Sequence, residues 1–208
     1  RAYSTRGWFD DPIVNTMLNT GSELYLAGLV FHELTHQVVY VKGASEFNES
    51  FATAIEELAL EQWLLDQQRS DLQQRQRFSE QKQQQFLALV SRYRDKLAVQ
   101  YREATFNPIE KQALFAELLA EYEKLKQEWQ GFAAYDHWFE SQLNNAKLAV
   151  FSTYSAQVDE IKAHYRACDI AMPLYLKRVA KAKLDDAALR REFFSSSAQC
   201  SGDITLLD

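Results

Sequence analysis

From Gly43 to Gly131 the chain contains one proline, Pro108, and no other glycine. That run constrains the fold class more than any other feature. Strands joined by tight turns draw on glycine, proline and asparagine for their turn conformations. A stretch this long without them reads as helix. The whole chain agrees, with six glycines and three prolines in 208 residues. The expected fold class is therefore mainly α. Extended structure is expected only near the start, where Tyr3, Thr5, Trp8 and Phe9 favour a short edge strand that Pro12 ends.

Apolar spacing then divides the chain. Ser22 can cap a helix running to Lys42, and Gly43 sits where a left-handed residue ends one. Leu24, Leu26, Leu29, Val30, Phe31, Leu34, Val38 and Val39 cover most of its circumference, which predicts a buried helix. A second helix is expected from about Asn48. Residues 66–85 are rich in Gln and Arg and read as a solvated helix or arm. Phe86, Val90, Tyr93 and Leu97 form one heptad-like seam, and Phe115, Leu118, Tyr122, Leu125, Trp129 and Phe132 form another. Between them, Asn107-Pro108-Ile109-Glu110 carries an N-cap, a proline at the first helical position and an acid in the first turn. The seams predict an antiparallel hairpin with its tip at 105–108. A further helix is expected over 134–165, then short helices opened by Pro173 and capped by Asp185. The expected organisation is a core over 1–65, a helical arm over 66–132, a helical part over 133–194 that packs on the core, and a loose tail over 195–208.

The net charge of −6 argues against nucleic acid as a partner. No run approaches the roughly 18 apolar residues of a membrane span. Cys168 and Cys200 make neither a framework nor a C-x-x-C pair, so their redox state stays open. The chain begins at Arg1 with no leader pattern after it, which reads as an internal point of a longer protein.

Chemistry concentrates in His32-Glu33-Leu34-Thr35-His36. On a helix, positions four apart share a face, so His32 and His36 can direct both imidazoles at one ion. Neutral imidazole suits zinc. Glu33 follows His32 and can take a proton from an activated water, then pass it to a leaving amine. A catalytic zinc site needs a third protein ligand. The pattern with a third histidine would place glycine and histidine where Val39 and Lys42 stand. His137 and His164 lie far downstream, beside Trp138 and Tyr165, where packing or surface roles fit better. A carboxylate is the better third ligand, and Glu49 can return to the histidine face if the link folds tightly.

The residues around this motif carry a resemblance. His-Glu-Leu-Thr-His followed by Asn48-Glu49-Ser50-Phe51-Ala52 resembles the gluzincin metallopeptidases. The longer set is more specific: residues 2–5 and 7–12, then 31–37, 40–43 and 47–53, with Asn144-Asn145-Ala146 and Thr153-Tyr154 downstream. It is similar to a bacterial family assigned as zinc aminopeptidases, many of them predicted lipoproteins. The resemblance implies a zincin-like metal-site helix pair and one Zn2+ held by His32, His36 and Glu49. It also implies a peptide substrate and a cell-envelope or periplasmic protein whose N-terminal part, possible site of a lipid anchor, is missing here.

Two departures stand beside it. The interval from His36 to Glu49 is shorter than in the familiar gluzincins. With a helix to Lys42, His36 lies about 10 Å before the turn. A directly antiparallel second helix then brings Glu56 to that level more easily than Glu49. Glu56 is thus the alternative ligand, or supports a ligand histidine. The glutamate that clamps the substrate amine in zinc aminopeptidases also has no visible counterpart. Asp10 or Asp11 could serve. Gly7 and Trp8 would lie on a strand that pairs with substrate, Tyr154 (or Tyr3) would steady the oxyanion, and Asn145 would bind a ligand or substrate. The function expected is a zinc-dependent metallopeptidase of aminopeptidase type. The alternative is a metal-stabilised envelope scaffold, its peptidase site vestigial and its arm engaging a protein partner.

Overall fold

A computed structural model of the chain describes residues 22–102 and 108–195, without the side chains of 150–155. Among these residues every regular element is a helix. They are α1 (Glu23–Val38), α2 (Ser45–Asp66), α3 (Ser70–Gln100), α4 (Pro108–Glu128), α5 (Asp136–Glu140), α6 (Asn145–Cys168), α7 (Met172–Lys181) and α8 (Ala187–Ser195). The strand expected near the start, the hairpin tip and the tail after 195 lie outside the described residues. The chain divides into two compact units, one drawn from 1–73 and 156–208 and the other from 74–155. Among the described residues, no helix is long and apolar enough to cross a membrane.

In the first unit, α1 packs chiefly on α2. Ser22 caps α1 as expected, its Oγ accepting from the Tyr25 amide at 3.3 Å. The helix ends at Val38, four residues before the expected Lys42. Val39 is extended, as a β-branched run favours. Asn48 then holds the link: Val41 N–H donates to Asn48 Oδ1 and Asn48 Nδ2 donates to the Val41 carbonyl, each at 2.9 Å. Gly43 takes a positive φ of 78°, and α2 begins two residues later. The expectation that α1 is buried all round is corrected. Leu34 and Val38 are about half exposed, at 53% and 47%. A continuous apolar surface shows where a cover would fit, not that one is present. The inner side of α2 supplies Phe47, Phe51, Ile55 and Leu58, buried with Tyr175 of α7 and Phe194 of α8. Lys162 of α6 donates to Glu57 of α2, both largely buried. Cys168 is disulfide-bonded.

The second unit contains the expected hairpin. Phe86, Leu89, Val90, Tyr93 and Leu97 of α3 share one core with Leu118 and Tyr122 of α4, Trp129 and Leu148. Polar contacts across it, Gln85 to Trp129, Lys96 to Glu117 and Gln100 to Glu110, run in opposite directions along the two helices. That is an antiparallel pair. Pro108 opens α4 as its fixed φ favours. The single helix expected over 134–165 is instead two, α5 and α6. The break falls where Asn144 Oδ1 accepts from the Lys147 amide at 2.9 Å and starts a new helix. At α8 the adjacent acid takes the capping role: Asp186, not Asp185, accepts from the Ala188 amide.

Candidate metal site

Helix periodicity places His32 and His36 on the side of α1 that faces α2. His36 is buried, and the two rings meet edge to face with centroids 4.9 Å apart. Because α1 stops at Val38 and Asn48 ties down Val41, the first turn of α2 returns to the level of the histidines. Glu49 therefore arrives between them. Its Oε2 lies 3.5 Å from His32 Nε2, and its Oε1 lies 3.6 Å from His36 Nε2. The two Nε2 atoms are 3.2 Å apart.

Ligands about 2.0–2.1 Å from one centre at tetrahedral angles stand about 3.3 Å from each other. The histidine pair is near that value, the two carboxylate distances run to different oxygens of Glu49, and one ligand atom from each of the three residues lies within 4.8 Å of the others, so His32, His36 and Glu49 could hold a single metal ion. Glu56, two turns further along α2, meets the opposite nitrogen of His32. Its Oε2 is 3.0 Å from Nδ1. That contact turns Nε2 toward the cluster, the arrangement by which a carboxylate orients a metal-binding imidazole.

The cluster is rich in acceptors. Burial pulls the His32 pKa down, but hydrogen bonds to Glu49 and Glu56 and their charges outweigh it and raise it to about 9. The Glu49 carboxyl is lowered, first by its hydrogen bond to His32 and then by the charge of His36, against the effect of its own burial.

Glu33 follows His32 on α1 and is partly buried. Asn145 opens α6 in the second unit, and Tyr154 lies on α6 with its side chain undescribed. Tyr3, Gly7, Trp8, Asp10 and Asp11 lie outside the described residues. His137 is exposed on α5. His164 is buried, its Nδ1 3.0 Å from the Tyr175 hydroxyl among the rings of Phe193 and Phe194. Asn48 is the site-building residue that sequence reasoning did not assign a task. Its hint was an asparagine in a first helical turn, directly before Glu49.

Two helices that direct two imidazoles and a carboxylate at one point define a helical protein with a His-His-Glu cluster that could hold a metal ion. The family model described as "Putative aminopeptidase" matches residues 1–194, and the chain belongs to that family. No curated protein and no solved structure matches it.

Proposed function

We propose that the chain carries the metal site of a zinc-dependent metallopeptidase of gluzincin type, acting as an aminopeptidase on peptides with a free N-terminus. The observation that supports this best is the convergence of His32, His36 and Glu49, one ligand atom of each within 4.8 Å of the others, in a chain whose family is named for aminopeptidase activity. Zinc suits two imidazoles and a carboxylate; when bound it supplies Lewis acidity, polarising a carbonyl and lowering the pKa of a water toward about 7.

The chain's own residues do the rest. Glu56 holds His32 in the orientation that leaves Nε2 free for the ion. Asn48 holds the link that delivers Glu49. Glu33 acts as general base toward the attacking water and as general acid toward the departing amine. In the resemblance from which this reading starts, the whole protein resides in the bacterial cell envelope.

The test uses the full chain with zinc supplied and a library of N-terminally free peptides. Glu33→Gln should lower the release of amino acids by roughly 10²–10⁴-fold while leaving zinc content at one ion per chain. Equal turnover in the two proteins would remove Glu33 from the mechanism. Products cut only at internal bonds would overturn the aminopeptidase assignment. Native mass spectrometry that finds no bound ion in the presence of zinc would overturn the metal site itself.

A further inference from the structure

Gly28 lies one turn before His32 in the interior of α1 and is buried. A glycine there costs about 1 kcal/mol relative to alanine, so its place in the helix calls for a spatial reason. That reason is on α2. A Cβ at position 28 would stand 2.6 Å from Glu56 Oε1 and 3.2 Å from a methyl carbon of Leu60. The other oxygen of the same carboxylate is the one that meets His32 Nδ1. The carboxylate thus fills the space that a side chain at position 28 would need, and from there it reaches the imidazole.

We propose that Gly28 is a positioning residue for the metal cluster: its missing side chain is the seat of the Glu56 carboxylate, which commits His32 Nε2 to the ion. The proposal rests on the metal-site reading above. Its physical content is a close approach, not backbone freedom. Oε1 is the far end of a flexible side chain. A methyl group at position 28 is therefore relieved by swinging the carboxylate away, with a shift of a few tenths of an ångström at the Leu60 methyl, and the helix itself gains a better helix former. Fold and site should part company at this residue.

The experiment compares Gly28→Ala, Glu56→Ala and the double variant in the full chain. Zinc affinity is read by competition with a chromophoric chelator. The His32 ring is read separately by ¹⁵N NMR in metal-free protein at alkaline pH. Each single variant should bind zinc about 10–100-fold more weakly, the range for loss of a residue that supports a ligand. The double variant should be no weaker than Glu56→Ala alone, because both changes remove one contact. Gly28→Ala should keep its helix content and melt no lower than the parent. The wild-type His32 ring should carry its proton on Nδ1, and Gly28→Ala should show mixed tautomers.

Unchanged zinc affinity in Gly28→Ala, or losses that add in the double variant, would overturn the proposal. If Gly28→Ala does not fold, adding Glu56→Ala together with Leu60→Val must restore the fold, since the two close contacts are with those side chains. Failure to restore it would overturn the proposal equally. If the wild type binds no zinc, the metal reading fails by itself, and the tautomer measurement still decides whether Gly28 seats Glu56.

Discussion

In the second unit, Tyr93, Tyr122 and Trp129 each bury an aromatic body and hand one proton to one acceptor: Glu121, Asp136 and Gln85, at 2.7, 2.6 and 2.6 Å. In the first unit, two imidazoles face two carboxylates, with His32 Nε2 near both Glu49 and His36. The aromatic core is balanced donor for acceptor and needs nothing added. The histidine cluster brings two imidazoles and two carboxylates together, a donor set of the kind that could hold a cation. Polar groups of similar number therefore differ in kind: one set is paired within the packing, the other is grouped as the ligands of a metal would be.

The comparison predicts which substitutions harm which unit. Phe86 is fully buried and stacks on Tyr135 with centroids 4.1 Å apart. Phe86→Ala should cost the second unit about 3–5 kcal/mol, the range for emptying an aromatic core position. Zinc affinity at His32, His36 and Glu49 should not change, since no residue of the cluster belongs to that core. Urea unfolding followed by Trp129 fluorescence, in a background where Trp8, Trp63 and Trp138 are phenylalanine, reads the first quantity and chelator competition the second. A parallel fall in both would break the division between a self-sufficient core and the histidine cluster.

The next effect is that of pH on the metal-free protein. His32 titrates at about 9 in the fold against 6.5 for the free side chain. A raised pKa means that the folded state binds the proton more tightly than the unfolded chain. The resulting stabilisation is fully present below about pH 6.5 and is lost as pH rises through about 9. Its upper limit is about 3 kcal/mol, at 1.36 kcal/mol per unit. The lowered Glu49 carboxyl works in the opposite direction, its contribution present above the ordinary carboxylate range and lost toward acid. Metal-free protein should thus be most stable between about pH 4.5 and 6.5 and should weaken toward pH 9. Zinc should reverse the alkaline slope, because ligation needs the neutral ring. Unfolding midpoints in EDTA that stay flat from pH 6 to 9 would show that His32 is not held by the two carboxylates.

The sequence was most legible where a single helix carries its own pattern. His32 and His36 need only the four-residue spacing to share a face, and the seams through Phe86, Tyr93, Leu118 and Tyr122 needed only their steps of three and four. It was least legible where a helix ends. Extending the first helix to Lys42 made Glu49 and Glu56 competitors for one position. The stop at Val38 lets both reach His32, one at each ring nitrogen. That stop depends on Asn48, ten residues further on, and the β-branched Val38–Val39 pair does not by itself say where the helix ends. Similarly, Asp185 and Asp186 are equivalent caps on paper, and the break at 141–144 depends on Asn144 turning its side chain back to an amide.

Asn48 offers the smallest effect and the finest test of the comparison. It is buried and forms both hydrogen bonds of the Val41 amide and carbonyl. Asn48→Ala leaves both groups without that partner, a loss of about 1–3 kcal/mol for a buried polar group left unsatisfied. Asn48→Asp should be no milder, because it keeps the acceptor for Val41 N–H but sets a carboxylate against the Val41 carbonyl. If the link is what delivers Glu49, zinc affinity should fall with stability in both variants. Trp129 in the second unit should report no change in its environment. A stability loss with zinc affinity intact would mean that the rest of α2 holds Glu49 in place and that the link only closes the loop. The cluster would then be as self-supporting in its backbone as the aromatic core, and the contrast between the units would lie in their protons alone.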